Sequence, residues 1–295
     1  LHNDPTPLPE SRLRMWRKLR MAKYRKKMGL FVAEGLRVVE QLAKQLADGG
    51  RVGMEALVLE EGFAEGADGR RLATMAAGRG AAVHTTTPAG IAQLADTSTP
   101  QPVLAVCRIP KPLGEEELPG LAGDGAGDAA RDVAGGHAAA SVVFALDGLQ
   151  DPGNLGAILR AAAWFGAAAV VCGEGTVDAW SPKCVRATAG AVGAVPVVRS
   201  GDLAALARRM RERGWRVATL ELAEDAAPIG RFRRGEAAAG LMLVIGNEAN
   251  GVSEQVSRAA AERVVIPGRA EAVESLNASV AASIALYEVL GREGE

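Results

Sequence analysis

The sequence predicts a mixed α/β protein, in which a small α/β domain precedes a larger α/β domain built on a mostly parallel sheet. The first observation behind this fold class is the length of 295 residues, which exceeds what one hydrophobic core usually organises. The second is that short apolar runs alternate with segments of helical spacing, as in sheets covered by helices on both faces. The third is a stretch of Gly, Ala and Asp over residues 113–140, which predicts a flexible linker between the two domains.

The first domain is predicted over residues 31–112, after a basic N-terminal segment of residues 1–30. The run Phe31-Val32-Ala33 predicts a strand, and the apolar residues from Leu36 to Leu46 recur at helical spacing. The elements that follow are predicted as strands over 56–59, 82–85 and 103–109 and as helices over 70–79 and 88–94.

The second domain is predicted over residues 141–295. Its apolar runs predict strands over 142–146, 169–172, 195–198, 217–220, 241–245 and 264–266. The intervening segments predict helices over 156–165, 182–189, 203–213, 252–260 and 275–290. Ligands of such sheets bind at the carboxyl ends of the strands, so the loops at those ends are the first candidates for a site.

Composition excludes several classes of protein. With 48% hydrophobic and 23% charged residues, the chain is neither mainly disordered nor fibrous. No apolar run approaches the roughly 20 residues that span a bilayer, and no signal-peptide core stands at the N-terminus. We therefore expect a cytoplasmic protein without a membrane partner.

The cysteines and histidines are few and scattered. The three cysteines form no C-x-x-C pair, and the three histidines show no metal-ligand spacing. We therefore expect no metal site, no disulfide framework and no Ser-His-Asp triad. These residues are Cys107, Cys172 and Cys184, and His2, His84 and His137.

The near-zero net charge of −1 conceals a basic block between residues 11 and 30, which contains no acidic residue. Trp16 and Tyr24 are interleaved with the cations, and the spacing of Leu13, Trp16 and Leu19 suggests one basic helix. Such a block is typical of a surface that binds a phosphate-rich partner, although a solvated terminal helix has the same composition. The candidate RNA-binding residues are Arg12, Arg14, Arg17, Lys18, Arg20, Lys23, Arg25, Lys26 and Lys27.

Three loops that follow strands of the second domain hold polar residues. The first has a turn-forming Asp-Pro-Gly, then Asn154 as a predicted helix cap, and then Arg160. The second is a Gly- and Asn-rich turn from Gly246, in which Glu248 is either a cap or an acceptor for a substrate. In the third, Ser275 or Asn277 begins the last helix. Taken singly, each loop also fits an ordinary helix cap.

Together these loops resemble the three motifs of the SpoU/TrmH branch of the SPOUT methyltransferases. The pattern Asn-x-Gly-x-x-x-Arg occurs at 154–160, Gly-Asn-Glu-x-x-Gly at 246–251, and Ile-Pro followed by Ser-Leu-Asn at 266–277. The N-terminal part resembles the L30e-like RNA substrate-binding domain of the family at residues 31–35 and 97–106. Pro102 and the pair Gly268-Arg269 depart from the family's pattern.

This resemblance implies a C-terminal domain with a deep trefoil knot and a mostly parallel sheet. It also implies a homodimer that methylates a ribose 2′-hydroxyl of RNA with S-adenosylmethionine, most simply in 23S ribosomal RNA. The implied cofactor-binding residues are Gly246, Ile266 and Leu276. The implied catalytic, substrate-facing residues are Asn154, Arg160, Glu248, Ser275 and Asn277. Because a guanidinium resists deprotonation, Arg160 is expected to orient or activate the 2′-hydroxyl and the adjacent phosphate.

Four alternatives stay open at this point. The RNA could be transfer RNA, or the chain could be an antibiotic-resistance methyltransferase acting on ribosomal RNA. It could also be a noncatalytic RNA-binding or ribosome-assembly protein of the same fold. A dinucleotide-dependent enzyme is disfavoured, since Gly78-Arg79-Gly80 lacks the rest of a nucleotide-binding pattern.

Overall fold

The computed structural model describes residues 5–47, 49–121, 141–232, 239–269 and 274–291. The described residues fall into two compact units. One comprises those within Leu1–Lys111 and Asp178–Ala194, and the other those within Pro112–Val177 and Val195–Glu295. The mixed α/β class predicted from the sequence is confirmed, and each unit is built on its own sheet.

The first unit has a five-stranded sheet in the order β1-β4-β3-β5-β2. Its central strand β3 pairs in parallel with β4 and antiparallel with β5. The strands are β1 (Thr6–Pro7), β2 (Leu30–Glu34), β3 (Gly53–Glu60), β4 (Ala82–Thr86) and β5 (Val103–Arg108). The helices are α1 (Glu10–Trp16), α2 (Ala22–Met28), α3 (Leu36–Ala47), α4 (Glu61–Ala64), α5 (Ala67–Ala77) and α6 (Pro88–Leu94).

Both faces of this sheet are covered. Along β2, Phe31 and Ala33 face one apolar cluster while Leu30 and Val32 face the other, as the two-residue period of a strand requires. Helices α3 and α5 cover the first face, and α1 and α6 cover the second. The basic segment is therefore part of this unit, because Leu13, Trp16 and Leu19 are buried in its second cluster.

The expectation of one continuous basic helix is wrong. Helix α1 ends at Trp16, a 3₁₀ turn covers Arg17–Arg20, and Met21 is extended before α2 begins. Arg25 stabilises this break, because its guanidinium donates hydrogen bonds to the Leu19 and Arg20 carbonyls at 2.8 and 2.7 Å. These carbonyls therefore have partners without continuing the helix.

The second unit has a seven-stranded sheet in the order β10-β12-β9-β11-β6-β7-β8, in which every pair is parallel. All six residues of β11 are buried, as expected of a central parallel strand. The strands are β6 (Ser141–Leu146), β7 (Ala169–Cys172), β8 (Val197–Arg199), β9 (Arg216–Leu220), β10 (Ala227–Pro228), β11 (Gly240–Ile245) and β12 (Glu262–Val265). The helices are α7 (Pro152–Phe165), α9 (Leu203–Glu212), α10 (Glu254–Ala260) and α11 (Ala278–Leu286), with α8 (Pro182–Ala187) lying in the first unit.

Two features differ from the domain boundaries predicted from the sequence. Residues 178–194 pack with the first unit, where Val185 and Val192 join its core and the rings of Trp180 and Phe31 lie 5.1 Å apart. The predicted linker 113–140 begins with a 3₁₀ helix at Glu115–Leu121, and Leu118 is fully buried in the core of the second unit. The rest of that linker lies outside the described residues.

No helix of the described ranges is both long and apolar enough to cross a membrane. The trefoil knot implied by the family resemblance stays a prediction.

Candidate active site

The parallel order of the second sheet brings the three sequence motifs to one edge. Strands β12, β9, β11 and β6 are neighbours and run in the same direction, so the loops that follow them leave the same edge. The first motif follows β6, the second follows β11 and the third follows β12. The site is therefore assembled from loops that are up to about 120 residues apart in sequence, as expected for α/β sheets.

The first motif begins with a capped helix, but its cap is not the residue expected from the sequence. Asp151 is the N-cap of α7, and its carboxylate accepts hydrogen bonds from the backbone N–H groups of Gly153 and, at 3.3 Å, of Asn154. Pro152 occupies the first helical position, where its missing N–H costs nothing. Asn154 therefore lies in the first turn of α7, and its side-chain amide is available for other contacts.

That amide connects the three motifs. Asn154 donates from Nδ2 to Oε1 of Glu248 at 3.0 Å and accepts at Oδ1 from Nδ2 of Asn277 at 3.1 Å. Asn277 is the N-cap of α11, where its Oδ1 accepts from the backbone N–H groups of Ser279 and Val280 at 2.9 and 3.3 Å. Three predicted site residues thus form one hydrogen-bonded chain.

Glu248 is fixed as a hydrogen-bond acceptor by the first loop. Its carboxylate also accepts from the backbone N–H groups of Gln150 and Asp151, both at 3.3 Å. Partial burial acts to raise the pKa of Glu248, but the hydrogen bonds from Asn154 and from backbone N–H groups outweigh it and lower the pKa. The side chain is therefore a carboxylate at neutral pH and holds the first and second loops together.

Asn247 shapes the second loop, a role that the sequence did not assign to it. Its Nδ2 donates to the Gly148 carbonyl at 2.7 Å, and its Oδ1 accepts from the backbone N–H of Ala249 at 2.8 Å. Its backbone exchanges two hydrogen bonds with Gly251, which has a left-handed φ of +67°. The signal was present in the Gly-Asn-Glu motif, since asparagine is common where a side chain must substitute for backbone partners in a turn.

Gly246 is required by a close approach of backbone to backbone. A Cβ atom at this position would lie 2.0 Å from the carbonyl carbon of Gly251 and 2.2 Å from the nitrogen of Val252. Only glycine fits there, and the turn of residues 247–251 folds back directly over it. The end of β11 is therefore covered by the main chain of this turn, in a space that no side chain could share.

Apolar side chains also stand in the segments that follow β9 and β12. Leu276, before α11, is 45% exposed, and Leu222, two residues beyond β9, is 61% exposed. Ile266, directly after β12, is half-buried. Solvent-exposed leucines at the carboxyl edge of a parallel sheet indicate a surface that an apolar ligand group can cover.

Two predicted residues, Ser275 and Arg160, do not take part in this hydrogen-bonded chain. Ser275 is exposed and does not cap α11, which begins at Ala278. Arg160 is exposed on α7 and, among the described residues, makes neither an ion pair nor a hydrogen bond. It is six residues after Asn154 and therefore projects from a different side of α7.

The nine candidate RNA-binding residues differ in availability. Arg25 is only 4% exposed and forms an ion pair with Asp178 at 2.6 Å, so a carboxylate already balances its positive charge. Arg12 approaches Nε2 of His84 at 3.3 Å, and Arg20 donates to the carbonyls of Ala92 and Ala95. The exposed cations without an ion pair in the described part of the chain are Arg14, Arg17, Lys18, Arg20, Lys23, Lys26 and Lys27.

Both halves of the chain match known protein families. A model described as the SpoU rRNA Methylase family matches residues 141–287, and the MRM3-like substrate binding domain matches residues 10–105. The second match includes the basic segment from residue 10 onward. This agrees with the packing of α1 against the first sheet.

Relatives and solved structures of similar length extend these matches. The 23S rRNA (guanosine(2553)-2′-O)-methyltransferase RlmP of Bacillus subtilis is 30% identical over 276 residues, which cover 94% of this chain and 94% of that protein. A putative TrmH family tRNA/rRNA methyltransferase of Staphylococcus aureus is 40% identical over 149 residues, or 50% of this chain and 58% of that protein. The structure of an AdoMet-bound rRNA methyltransferase of Sinorhizobium meliloti is 26% identical with a TM-score of 0.74, covering 96% of this chain and 95% of that one.

Proposed function

The chain belongs to the SpoU rRNA methylase family, and from this premise we propose that it transfers a methyl group from S-adenosylmethionine to a ribose 2′-hydroxyl of 23S ribosomal RNA. The Bacillus relative, which carries this activity in its name, is similar along nearly the whole chain. The observation that carries the proposal is the hydrogen-bonded chain of Asn277, Asn154 and Glu248, since it joins all three family motifs at one sheet edge.

The carboxyl edge of the second sheet fits S-adenosylmethionine. Gly246 lets the turn of residues 247–251 pack directly on the end of β11, and the polar main-chain groups of this turn can bind the cofactor. Ile266 and Leu276 offer apolar walls beside it. The cofactor supplies the methyl group and a thioether leaving group, and the chain must bind, orient and exclude water.

Arg160 is the residue that we propose to contact the substrate. Because its guanidinium is exposed and free of ion pairs in the described residues, it can donate to a phosphate oxygen and to the attacking 2′-oxygen. The reaction would be an in-line displacement at the methyl carbon: the 2′-oxygen takes the methyl group, the neutral thioether S-adenosylhomocysteine leaves, and water accepts the hydroxyl proton. By holding the 2′-oxygen in line with the methyl carbon and its leaving sulfur, Arg160 would raise the rate of transfer.

Asn154, Glu248 and Asn277 have a positioning role in this proposal. Their hydrogen bonds hold the start of α7, the 246–251 turn and the start of α11 together. Ser275, whose side chain makes no hydrogen bond with the described residues, stays a candidate for the substrate-facing side. The ribosomal substrate makes the cytoplasm the proposed place of action.

A transfer assay tests the proposed function and separates its RNA alternatives. The full chain is incubated with tritiated S-adenosylmethionine and, in separate reactions, with unmodified 23S ribosomal RNA and with unmodified transfer RNA. We expect label in 23S ribosomal RNA that is recovered as a 2′-O-methylnucleoside. Label in transfer RNA alone would show that the substrate is transfer RNA. No label in either RNA would favour a noncatalytic RNA-binding protein.

The basic segment is proposed to bind RNA phosphates through its exposed cations. Deleting it would remove Trp16 and Leu19 from the core, so substitutions on its surface are the appropriate test. We expect the triple substitution Arg17→Gln, Lys23→Gln and Lys26→Gln to weaken RNA binding. The slope of log Kobs against log salt should flatten by about 0.7 for each phosphate contact that is lost.

Affinity titrations between low and moderate salt measure this slope. The matched control neutralises Lys44, Arg51 and Arg79, which are exposed cations of the same unit outside the basic segment. Equal slopes for the two triple variants would show that the segment has no special part in RNA binding. S-adenosylmethionine affinity should be the same in all three proteins.

We also propose that the chain is a homodimer joined through α7 and α11, which pack against each other. Trp164 on α7 is 85% exposed, and Val280 and Tyr287 are each about half exposed. Such exposed large apolar side chains, on two packed helices and at Tyr287 directly after α11, indicate a protein interface. Because Arg160 precedes Trp164 by one helical turn, the proposed interface lies next to the catalytic residue.

Charge at this surface should separate the subunits. We expect Trp164→Glu to sediment as a monomer and to lose methyl transfer, because a buried carboxylate without a partner is strongly unfavourable at an interface. Sedimentation velocity at micromolar concentration measures the change. Met21→Glu, at an exposed apolar side chain of the first unit, is the control and should leave the mass unchanged. A wild-type monomer under the same conditions would contradict the dimer.

A further inference from the structure

The first unit contains a cavity that the methyl-transfer site does not use. It has a volume of about 470 Å³, within the range of about 300–1,000 Å³ typical of ligand pockets. It lies where β2 ends and α3 begins, beside α4 and the residues that precede β5. Its apolar walls are Leu36, Val38, Phe63 and Pro102, and we call it the rim pocket because cationic and amide side chains lie along its edge.

Arg186 on this rim is held rigidly. Its guanidinium approaches Oε2 of Glu34 at 3.4 Å and Oδ2 of Asp96 at 3.0 Å. Glu34 is only 6% exposed and also accepts from the backbone N–H of Asp96 at 3.0 Å and from the Thr97 hydroxyl. Since two carboxylates balance its charge, Arg186 offers a fixed guanidinium plane and hydrogen-bond donors rather than a free positive charge.

Gln101 presents a donor to the same cavity. Its Oε1 accepts from the backbone N–H of Leu36 at 2.7 Å, which fixes the orientation of the amide. The Nε2 group has no partner among the described residues. Because a Cβ on residue 35 would lie 3.2 Å from Oε1 and the φ there is +103°, Gly35 allows this contact. The amide therefore caps α3 with one end and leaves a donor at the other.

Arg37 supplies the unbalanced charge. It is exposed, and no carboxylate pairs with it in the ranges that the structure describes. It also stands in the first turn of α3, where a cation is opposed by the helix dipole. Its positive charge is therefore available to a ligand that is anionic.

We propose that the rim pocket binds one unpaired nucleotide of the RNA substrate, at a distance along the RNA from the methylated ribose. This rests on the proposed function. The base enters beside the Phe63 ring, as single-stranded bases do on aromatic side chains. The donors of Gln101 and Arg186 read an edge of the base that carries acceptors, such as O6 and N7 of guanine. Arg37 contacts the phosphate of the same nucleotide.

Two variants of the full chain test the rim pocket. Gln101→Glu keeps an oxygen to accept from Leu36 but replaces the free donor with a carboxylate oxygen, and Arg37→Glu reverses the phosphate contact. We expect each to weaken binding of unmodified 23S ribosomal RNA about 10-fold, the effect of losing one directed contact. Transfer at saturating RNA and S-adenosylmethionine affinity should stay within about 2-fold of wild type, because the loss is confined to RNA binding.

The matched controls are Gln93→Glu and Arg51→Glu, which make the same charge changes at exposed positions of the first unit outside the rim pocket. If Gln101→Glu melts earlier than wild type, Arg37→Glu decides alone, since its side chain is exposed. Variants that bind RNA as their controls do, while the wild type still transfers methyl groups, would overturn the rim pocket and leave the proposed function intact. If the wild type transferred no methyl group but the two variants still bound RNA more weakly than their controls, the rim pocket would be supported and the proposed function overturned.

Discussion

Substituting Arg160 with alanine is expected to abolish methyl transfer while RNA and S-adenosylmethionine still bind. The guanidinium is exposed and makes no ion pair or hydrogen bond in the described chain, so its removal breaks no contact that supports the fold. If it donates to the substrate in the transition state, its loss should reduce kcat by about 100- to 1,000-fold, as for other donors that stabilise developing charge. Single-turnover transfer with saturating RNA measures this step without product release.

Arg208→Ala is the matched control for this experiment. Arg208 is an exposed arginine on α9 of the same unit, also without an ion pair or hydrogen bond in the ranges described. We expect it to transfer at the wild-type rate. Near-normal transfer by Arg160→Ala would remove Arg160 from the mechanism. If the substitution weakened RNA binding and left kcat unchanged, Arg160 would be a binding residue.

Substituting Gly246 with alanine is expected to eliminate cofactor binding. The added Cβ would lie within 2.2 Å of backbone atoms of Gly251 and Val252, and backbone cannot yield as a flexible side chain can. The turn of residues 247–251 must therefore move, and Glu248 moves with it, away from Asn154. Overpacking of this kind costs about 1–3 kcal/mol of stability, so the protein should fold with a lower melting temperature.

Calorimetric titration of S-adenosylmethionine into folded protein measures the effect. Gly201→Ala is the control, because nothing lies within 4 Å of a Cβ at that position of the same unit. We expect binding by Gly201→Ala to equal that of the wild type. If Gly246→Ala bound the cofactor with wild-type affinity, the end of β11 would not be part of the cofactor site.

Most of the regular elements could be predicted from the sequence because their apolar spacing is local. The buried run of β11 and the helical period of α3 are examples, and each is observed within a residue or two of its predicted bounds. For the last helix, Asn277 is the cap of the two that the sequence offered, but α11 covers only Ala278–Leu286 of the predicted range 275–290.

What could not be predicted depends on partners that are distant in sequence. The hydrogen bond from the Asn154 amide to Glu248 joins residues far apart in sequence, whereas the capping role of Asp151 could have been predicted from the Pro152 that follows it. In the same way, Arg25 looked like its eight basic neighbours until Asp178 was found beside it. The family resemblance suggested candidate site residues, but the hydrogen bonds among them follow only from the order of strands β6, β11 and β12 in the sheet.

A map of ribose 2′-O-methylation in 23S ribosomal RNA from cells with and without the gene tests the proposed activity most directly. We expect one 2′-O-methyl group to disappear when the gene is deleted. It should return when the wild-type chain is supplied and stay absent when Arg160→Ala is supplied at the same level. Identical methylation maps with and without the gene would contradict the claim that this chain methylates ribosomal RNA.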